Sequence, residues 1–289
     1  MKVDEETIIS ILKDIKLFAF DMDGVLRIGN HPIDGSDKIF KNIEKLNKKS
    51  IIITNECRYT PDTIKEDLQE MGIDIGNTPV LTAGIGIYTY FKKKAESLPD
   101  QNISLGIVGE NGLYDTINPL TSINNIEICE TPPKYKTNLY LIIGSLNKIK
   151  ISNLEKVLKW VKTDAKILLT CEDLADPSSK GDFTIGMPRH ILHMTNYNIK
   201  SNYYSLGKPN PKLAHLIINT YPNIKPHEIL FIGDTISTDI RLAEENGFRS
   251  LLVLSGNTKK EGIKSHVIQP DFVLDSVKEL NNFLKKLVT

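Results

Sequence analysis

The chain has 289 residues, 40% of them hydrophobic, which is enough for two compact units or for one unit with a large insertion. Its 36 basic and 36 acidic residues cancel to a formal charge of zero, so no footprint for nucleic acid or an anionic membrane is present. The first residues, MKVDEETIISILKDIK, are acidic where a leader would be basic, no apolar run approaches twenty residues, and Cys57, Cys129 and Cys171 form no CxxC pair; a cytoplasmic protein without disulfides or thiolate zinc is expected. In chain order, short apolar runs alternate with helical periodicity, the grammar of βα units and a largely parallel sheet. Residues 17–20 read as a strand, 36–48 as a helix, 51–54 as a strand and 61–71 as a helix with Pro61 in its first turn. Near the other end, 229–232 reads as a strand, 238–246 as a helix closed by Gly247, and 251–254 as a strand. Val277, Leu280, Leu284 and Leu287 then stripe a last helix.

The middle has βα units of its own. ISLGIVG, a helix near Asn111, NLYLIIG, a helix striped by Ile151, Leu154, Leu158 and Val161, and the strand KILLT follow one another. This predicts an insertion, residues 84–202, in a discontinuous core formed by 1–83 and 203–289.

Four strand ends carry the polar residues. In KLFAFDMDGVL, Asp21 and Asp23 follow an apolar strand at the edge where open α/β sheets bind ligands. Paired carboxylates there suit Mg²⁺, which would offset their repulsion and keep one ionised as a nucleophile, and Gly24 would let backbone N–H groups approach an anion. A calcium loop does not fit, because Val25 and Pro32 stand where oxygen ligands are needed; an acidic turn stays open on this motif alone. Thr54 and Asn55 end a second strand and read equally as a turn or cap. Gly207-Lys208-Pro209 fixes a lysine in a loop, as a turn or as a point charge for phosphate oxygens. GDTISTD places Asp234 and Asp239 at another strand end, with Thr238 a candidate cap for the next helix.

In this order, DMDGV, TNE, GKP and GDTISTD, with a large insertion between the second and third, resemble the haloacid dehalogenase (HAD) superfamily of phosphatases. The closer resemblance is to its branch with a type IIA cap, which holds sugar and nucleotide phosphatases, 4-nitrophenyl phosphatases, phosphoglycolate phosphatase and pyridoxal phosphatase. VGENGL and LTCEDLADPSSKGDFTIG resemble cap landmarks of that branch. The resemblance implies an α/β fold, a Rossmann-like parallel-sheet core with an inserted α/β cap, and a Mg²⁺-dependent phosphomonoesterase. Asp21 would be the nucleophile and Asp23 the acid and base; Asp21, the Asp23 carbonyl and Asp234 would hold Mg²⁺. Gly24 N–H, Thr54, Asn55 and Lys208 would contact the phosphoryl group, while Asp239 orients Lys208 or metal-bound water.

The chain departs from that branch at Glu56, Thr235, Ser237, Cys171 and the GMPRH segment, so the pocket is expected to differ from better-known members. His190 and His193 share a helix face that reads as solvated rather than zinc-binding. The insertion is expected to be a lid that selects the substrate, with 173–189 facing the leaving group and Asp173 and Arg189 the specificity candidates. The implied partner is a small phosphate monoester, with a homodimer left open and no nucleic acid or membrane. A phosphomutase and a silent binding module of the same fold are the competing readings.

Overall fold

The computed structural model of the chain describes residues 5–175, 186–195 and 203–288. The chain begins with α1 (Glu5–Asp14) and β1 (Leu17–Phe20), then a small antiparallel pair, β2 (Arg27–Ile28) and β3 (His31–Pro32). There follow α2 (Ser36–Lys45), β4 (Lys49–Thr54), α3 (Pro61–Glu70), β5 (Val80–Thr82), α4 (Ala83–Ser97), β6 (Ile103–Val108) and α5 (Asn111–Ile117). Next come β7 (Ile126–Ile128), β8 (Asn138–Ile143), α6 (Ile151–Val161), β9 (Lys166–Leu169), α7 (Pro188–Thr195) and β10 (Tyr203–Ser205). The chain closes with α8 (Pro211–Thr220), β11 (Ile229–Gly233), α9 (Arg241–Glu245), β12 (Arg249–Val253), β13 (Phe272–Leu274) and α10 (Val277–Val288).

Two parallel sheets result. The first has the order β13-β12-β11-β1-β4-β5 and the second β10-β9-β8-β6-β7. In the first, Phe20 lies between Ile232 and Ile52, so β1 is a central strand with both neighbours drawn from distant parts of the chain. Side chains alternate across it: Phe18 and Phe20 pack with Ile39, Ile43, Leu280 and Leu284 on one face, and Leu17 and Ala19 with Leu213, Ile217 and Phe231 on the other. Burial on both faces explains why the strand reads as an unbroken apolar run rather than an alternating one. The stripe of α10 faces inward as expected, and its Asn281 accepts a hydrogen bond of 2.7 Å from Asn42 of α2, so that pair brings no unsatisfied amide into the core. No helix among the described residues is long and apolar enough to cross a membrane.

Three expectations need correction. In α6 the buried face is Val157, Trp160 and Val161, while Ile151 is 77% exposed and Leu158 38%. The large indole settles the rotation of the helix, since burying Trp160 removes more apolar area from water than burying either aliphatic. The helix expected from Thr238 starts earlier, as a π turn at Ile236–Ile240 that leads into α9, so Thr238 lies inside the turn and does not cap it. Finally β10, at Tyr203–Ser205, pairs with β9, so the second sheet continues past the expected insertion boundary at 202.

Candidate active site

The carboxyl ends of both sheets meet at one cavity of about 50 Å³. The backbone N–H of Asp21 donates to the carbonyl of Ile232 at 2.8 Å, which extends the β1–β11 ladder by one residue and fixes Asp21 at the sheet edge. Its Oδ1 lies 2.6 Å from Lys208 Nζ, and the same ammonium lies 2.7 Å from Asp239 Oδ1. Asp239 Oδ2 accepts the N–H groups of Asp234 and Thr235, both at 3.1 Å, so Asp239 steers Lys208 with one oxygen and closes the end of β11 with the other. Asp234 accepts from Thr235 Oγ1 at 3.0 Å and from the Asn257 N–H at 2.6 Å.

Burial pushes the Asp21 carboxyl well above the usual range, and Asp239 and Asp234 add to this against the pull of Lys208. Asp234 is pushed up to about 7 by burial and by Asp239. Burial opposes the charge on Lys208, but Asp21 and Asp239 outweigh it and keep the ammonium protonated. Oxygens of Asp21, Asp234 and Asp239 lie within 4.8 Å of one another. One ammonium among three buried carboxylates leaves a negative excess, and an all-oxygen donor set suits a hard divalent cation. The surrounding backbone leaves room for the Asp234 carboxylate: a Cβ on Gly24 or on Gly256 would stand 2.5 Å or 1.9 Å from Asp234 Oδ2. The donor set therefore fits a hard divalent cation, with Asp239 committed to Lys208.

Other expected residues take more specific places. Asp23 lines the cavity and pairs with Arg27 at 2.9 Å. The N–H of Gly24, expected to meet a phosphoryl oxygen, instead donates to the Arg27 carbonyl at 2.7 Å; what Gly24 supplies, at φ 85°, is space for Asp234. Thr54 Oγ1 accepts the Glu56 N–H at 3.0 Å, leaving its hydroxyl proton to donate. The Asn55 amide joins three segments, accepting from Lys208 N at 2.7 Å and donating to Asp173 Oδ2 at 2.8 Å. Burial raises the Asp173 carboxyl, offset in part by Asn55 and Lys208.

From the second sheet, Ser145, Cys171 and Asp173 wall the cavity, with Met187 beside them. Arg189 is half-buried in the first turn of α7 and is not among the described residues that line the cavity; His193 is exposed. Of residues 173–189, positions 176–185 lie outside the described residues. The arginine in the wall is Arg58, which the sequence reading passed over, held by Glu56. A signal existed in TNECR, where an acid and a base two residues apart follow a buried strand end. Asn257 was also missed; its signal was the SGN turn directly after an apolar run.

The haloacid dehalogenase-like hydrolase family model matches residues 18–118, and a HAD-hydrolase-like model matches 205–280, the two stretches that supply the first sheet's strand ends. The chain belongs to the haloacid dehalogenase-like hydrolases. Among relatives of this HAD-like hydrolase, the 4-nitrophenylphosphatase of Schizosaccharomyces pombe is 26% identical, over 91% of this chain and 92% of its own. Sugar-phosphatase AraL of Bacillus subtilis is 25% identical over 92% of each chain, and dihydroxyacetone phosphatase of Corynebacterium glutamicum 23% over 90% and 88%. The crystal structure of the 4-nitrophenylphosphatase of Thermotoga maritima superposes with a TM-score of 0.78 at 23% identity, covering 94% of this chain and 98% of that one. A magnesium complex of a Mycobacterium tuberculosis glycerol phosphate phosphatase gives 0.77 at 17% identity, over 95% and 77%. These likenesses extend the HAD fold across both sheets.

Proposed function

We propose that this HAD-like hydrolase is a cytoplasmic, Mg²⁺-dependent phosphomonoesterase for a small phosphorylated metabolite of the sugar phosphate kind, working through an aspartyl phosphate on Asp21. The observation that carries the reading is the Asp21 carboxylate, fixed at the end of β1 and 2.6 Å from an ammonium that Asp239 holds in place. The relatives called sugar phosphatase and dihydroxyacetone phosphatase support the substrate class.

Asp21 attacks phosphorus in line, forming an O–P bond as the bond to the leaving oxygen breaks. Asp23, at the cavity and held by Arg27, protonates that oxygen and then takes a proton from the water that hydrolyses the acyl phosphate. Lys208 and the Thr54 hydroxyl stabilise charge on the phosphoryl oxygens, with the Asn55 amide beside them. Mg²⁺, held by Asp21, the Asp23 carbonyl and Asp234, would supply charge neutralisation and keep the Asp21 carboxylate ionised despite its burial. The second sheet and its loops form the cap over this site, with 84–202 as its core segment and β10 included.

Purified protein is to be assayed for phosphate release from 4-nitrophenyl phosphate and a panel of sugar phosphates, with Mg²⁺ and after chelation. Turnover that requires the cation and is lost in Asp21→Asn is expected. Full activity after exhaustive chelation, or in Asp21→Asn, would remove the metal or the covalent step.

A further inference from the structure

We propose that the cleft between α4 and α8 is a second binding site, which takes a small organic anion with a flat apolar body. Among the described residues it shares no lining residue with the catalytic cavity, and it does not depend on the phosphomonoesterase reading.

The two walls of the cleft belong to different layers. α4 buries Ile87, Phe91 and Ala95 with Ile103, Leu105 and Tyr140 of the second sheet, and α8 buries Leu213, Ala214 and Ile217 with Ala19, Ile53 and Phe231 of the first. The helices meet tightly at Gly86, where a Cβ would stand 3.0 Å from Leu213 Cδ2. At that contact lies a cavity of about 220 Å³, lined by Tyr90 and Lys93 from α4 and by Lys212, His215 and Leu216 from α8. Drug-sized sites run to roughly 300–1,000 Å³, so the ligand here is small.

Cations gather at this cleft without acids to meet them. Lys212 Nζ stands 4.2 Å from the centre of the Tyr90 ring and Lys94 Nζ 5.8 Å from it; Lys94 and Lys166 lie 5.6 Å and 5.8 Å from the Tyr140 ring. Elsewhere lysines pair with carboxylates, Lys16 with Glu228, Lys156 with Glu130 and Lys278 with Asp34. Among the described residues, Lys93, Lys94, Lys166 and Lys212 pair with none. The stretch 196–202, which precedes β10 and lies outside the described residues, contains no Asp or Glu; the stretch 176–185 is flanked by Ala175 and Met187, both in the wall of the catalytic cavity. A tyrosine face attracts an ammonium by about 0.5–1 kcal/mol at an exposed site but leaves its charge in place. The like charges therefore remain in excess, and partial burial together with Lys94 lowers the Lys212 ammonium from its usual range. An anionic head in the cleft meets one lysine from each helix, while Tyr90 and Leu216 offer apolar surface to the body. Lysine binds as a point charge, so a carboxylate or a phosphonate head fits the same chemistry.

Benzoate, phenylphosphonate and the neutral benzamide are titrated calorimetrically into the full chain as wild type, Lys212→Gln, Lys212→Arg and Lys93→Gln, and benzoate is soaked into crystals. The wild type should bind benzoate at least about tenfold more tightly than benzamide, the scale of one hydrogen bond to a charged group. Lys212→Gln should lose about that factor and Lys93→Gln a part of it, whereas Lys212→Arg should retain it. Both lysines are exposed, so melting temperatures of the free variants should match the wild type. The probe that loses more affinity in Lys212→Gln, the carboxylate or the phosphonate, names the head group. Benzoate density should lie between Tyr90 and Lys212. Absent benzoate binding, equal benzoate affinity in wild type and Lys212→Gln, benzamide bound as tightly as benzoate, or density in the catalytic cavity alone overturns the site and leaves the phosphatase reading untouched.

Discussion

The two sheets are built by the same rule and do different work. Each is parallel, each buries apolar strands under helices, and each presents its carboxyl ends to the shared cavity. The strand ends of the first carry Asp21, Thr54 and Asp234; those of the second carry Ser145, Cys171 and Asp173. The buried carboxylates gathered round Lys208 cluster on one side, where the proposed phosphoryl transfer is placed, and the other side adds a hydroxyl, a thiol and the Asn55-bound Asp173 carboxyl to the wall. A parallel sheet fixes where side chains converge, and the residue just past each strand decides what they can do.

The contrast is broken most directly at Asp21. Asp21→Asn should lower turnover of 4-nitrophenyl phosphate at least about a thousandfold, because binding groups remain but no bond-forming oxygen does. Far-UV circular dichroism should show the fold retained; substantial activity would move the chemistry elsewhere.

In the second sheet, the largest expected effect is on stability. Trp160 is fully buried against strands of that sheet, and Trp160→Ala should cost about 3–5 kcal/mol by chemical denaturation, with the second sheet unfolding ahead of the first. A loss under about 1 kcal/mol would mean the site collapses around the missing indole.

Within the first sheet's helical layer, Asn281→Leu leaves the Asn42 amide buried without its acceptor. The expected cost is about 1–3 kcal/mol with kcat/KM unchanged, measured by urea denaturation beside an aryl phosphate assay. The smallest effect is at the start of α3, where Thr60 Oγ1 accepts the Thr63 N–H at 3.2 Å. Thr60→Ala should cost about 1 kcal/mol and leave activity alone, although α3 follows the loop that holds Glu56 and Arg58. A specificity change in that variant would tie the helix to the cavity wall.

Local sequence settled much of this molecule. The apolar run at 17–20, the Pro61 start of α3 and the stripe of α10 are encoded within a few residues, by burial on both strand faces, by a fixed φ without a needed N–H, and by helical period. Asp21, Thr54, Lys208 and Asp234 were legible as strand-end polar groups for the same reason: a charge at the end of a buried strand stands out against its neighbours. Tertiary structure decided what depends on partners far along the chain. Only packing could choose Trp160 over Ile151 and Leu158 as the inward face of α6, because the apolar stripe alone allows more than one rotation. Only the meeting of β1 with β11 gave Gly24 the task of making room for Asp234, 210 positions away, and only the approach of the β8 loop placed Arg58 in a wall. Hydrogen bonds and ion pairs reach about 3 Å through space and carry no mark of sequence separation, so a site assembled from two sheets is written in the chain as isolated residues and becomes a site when the strands align.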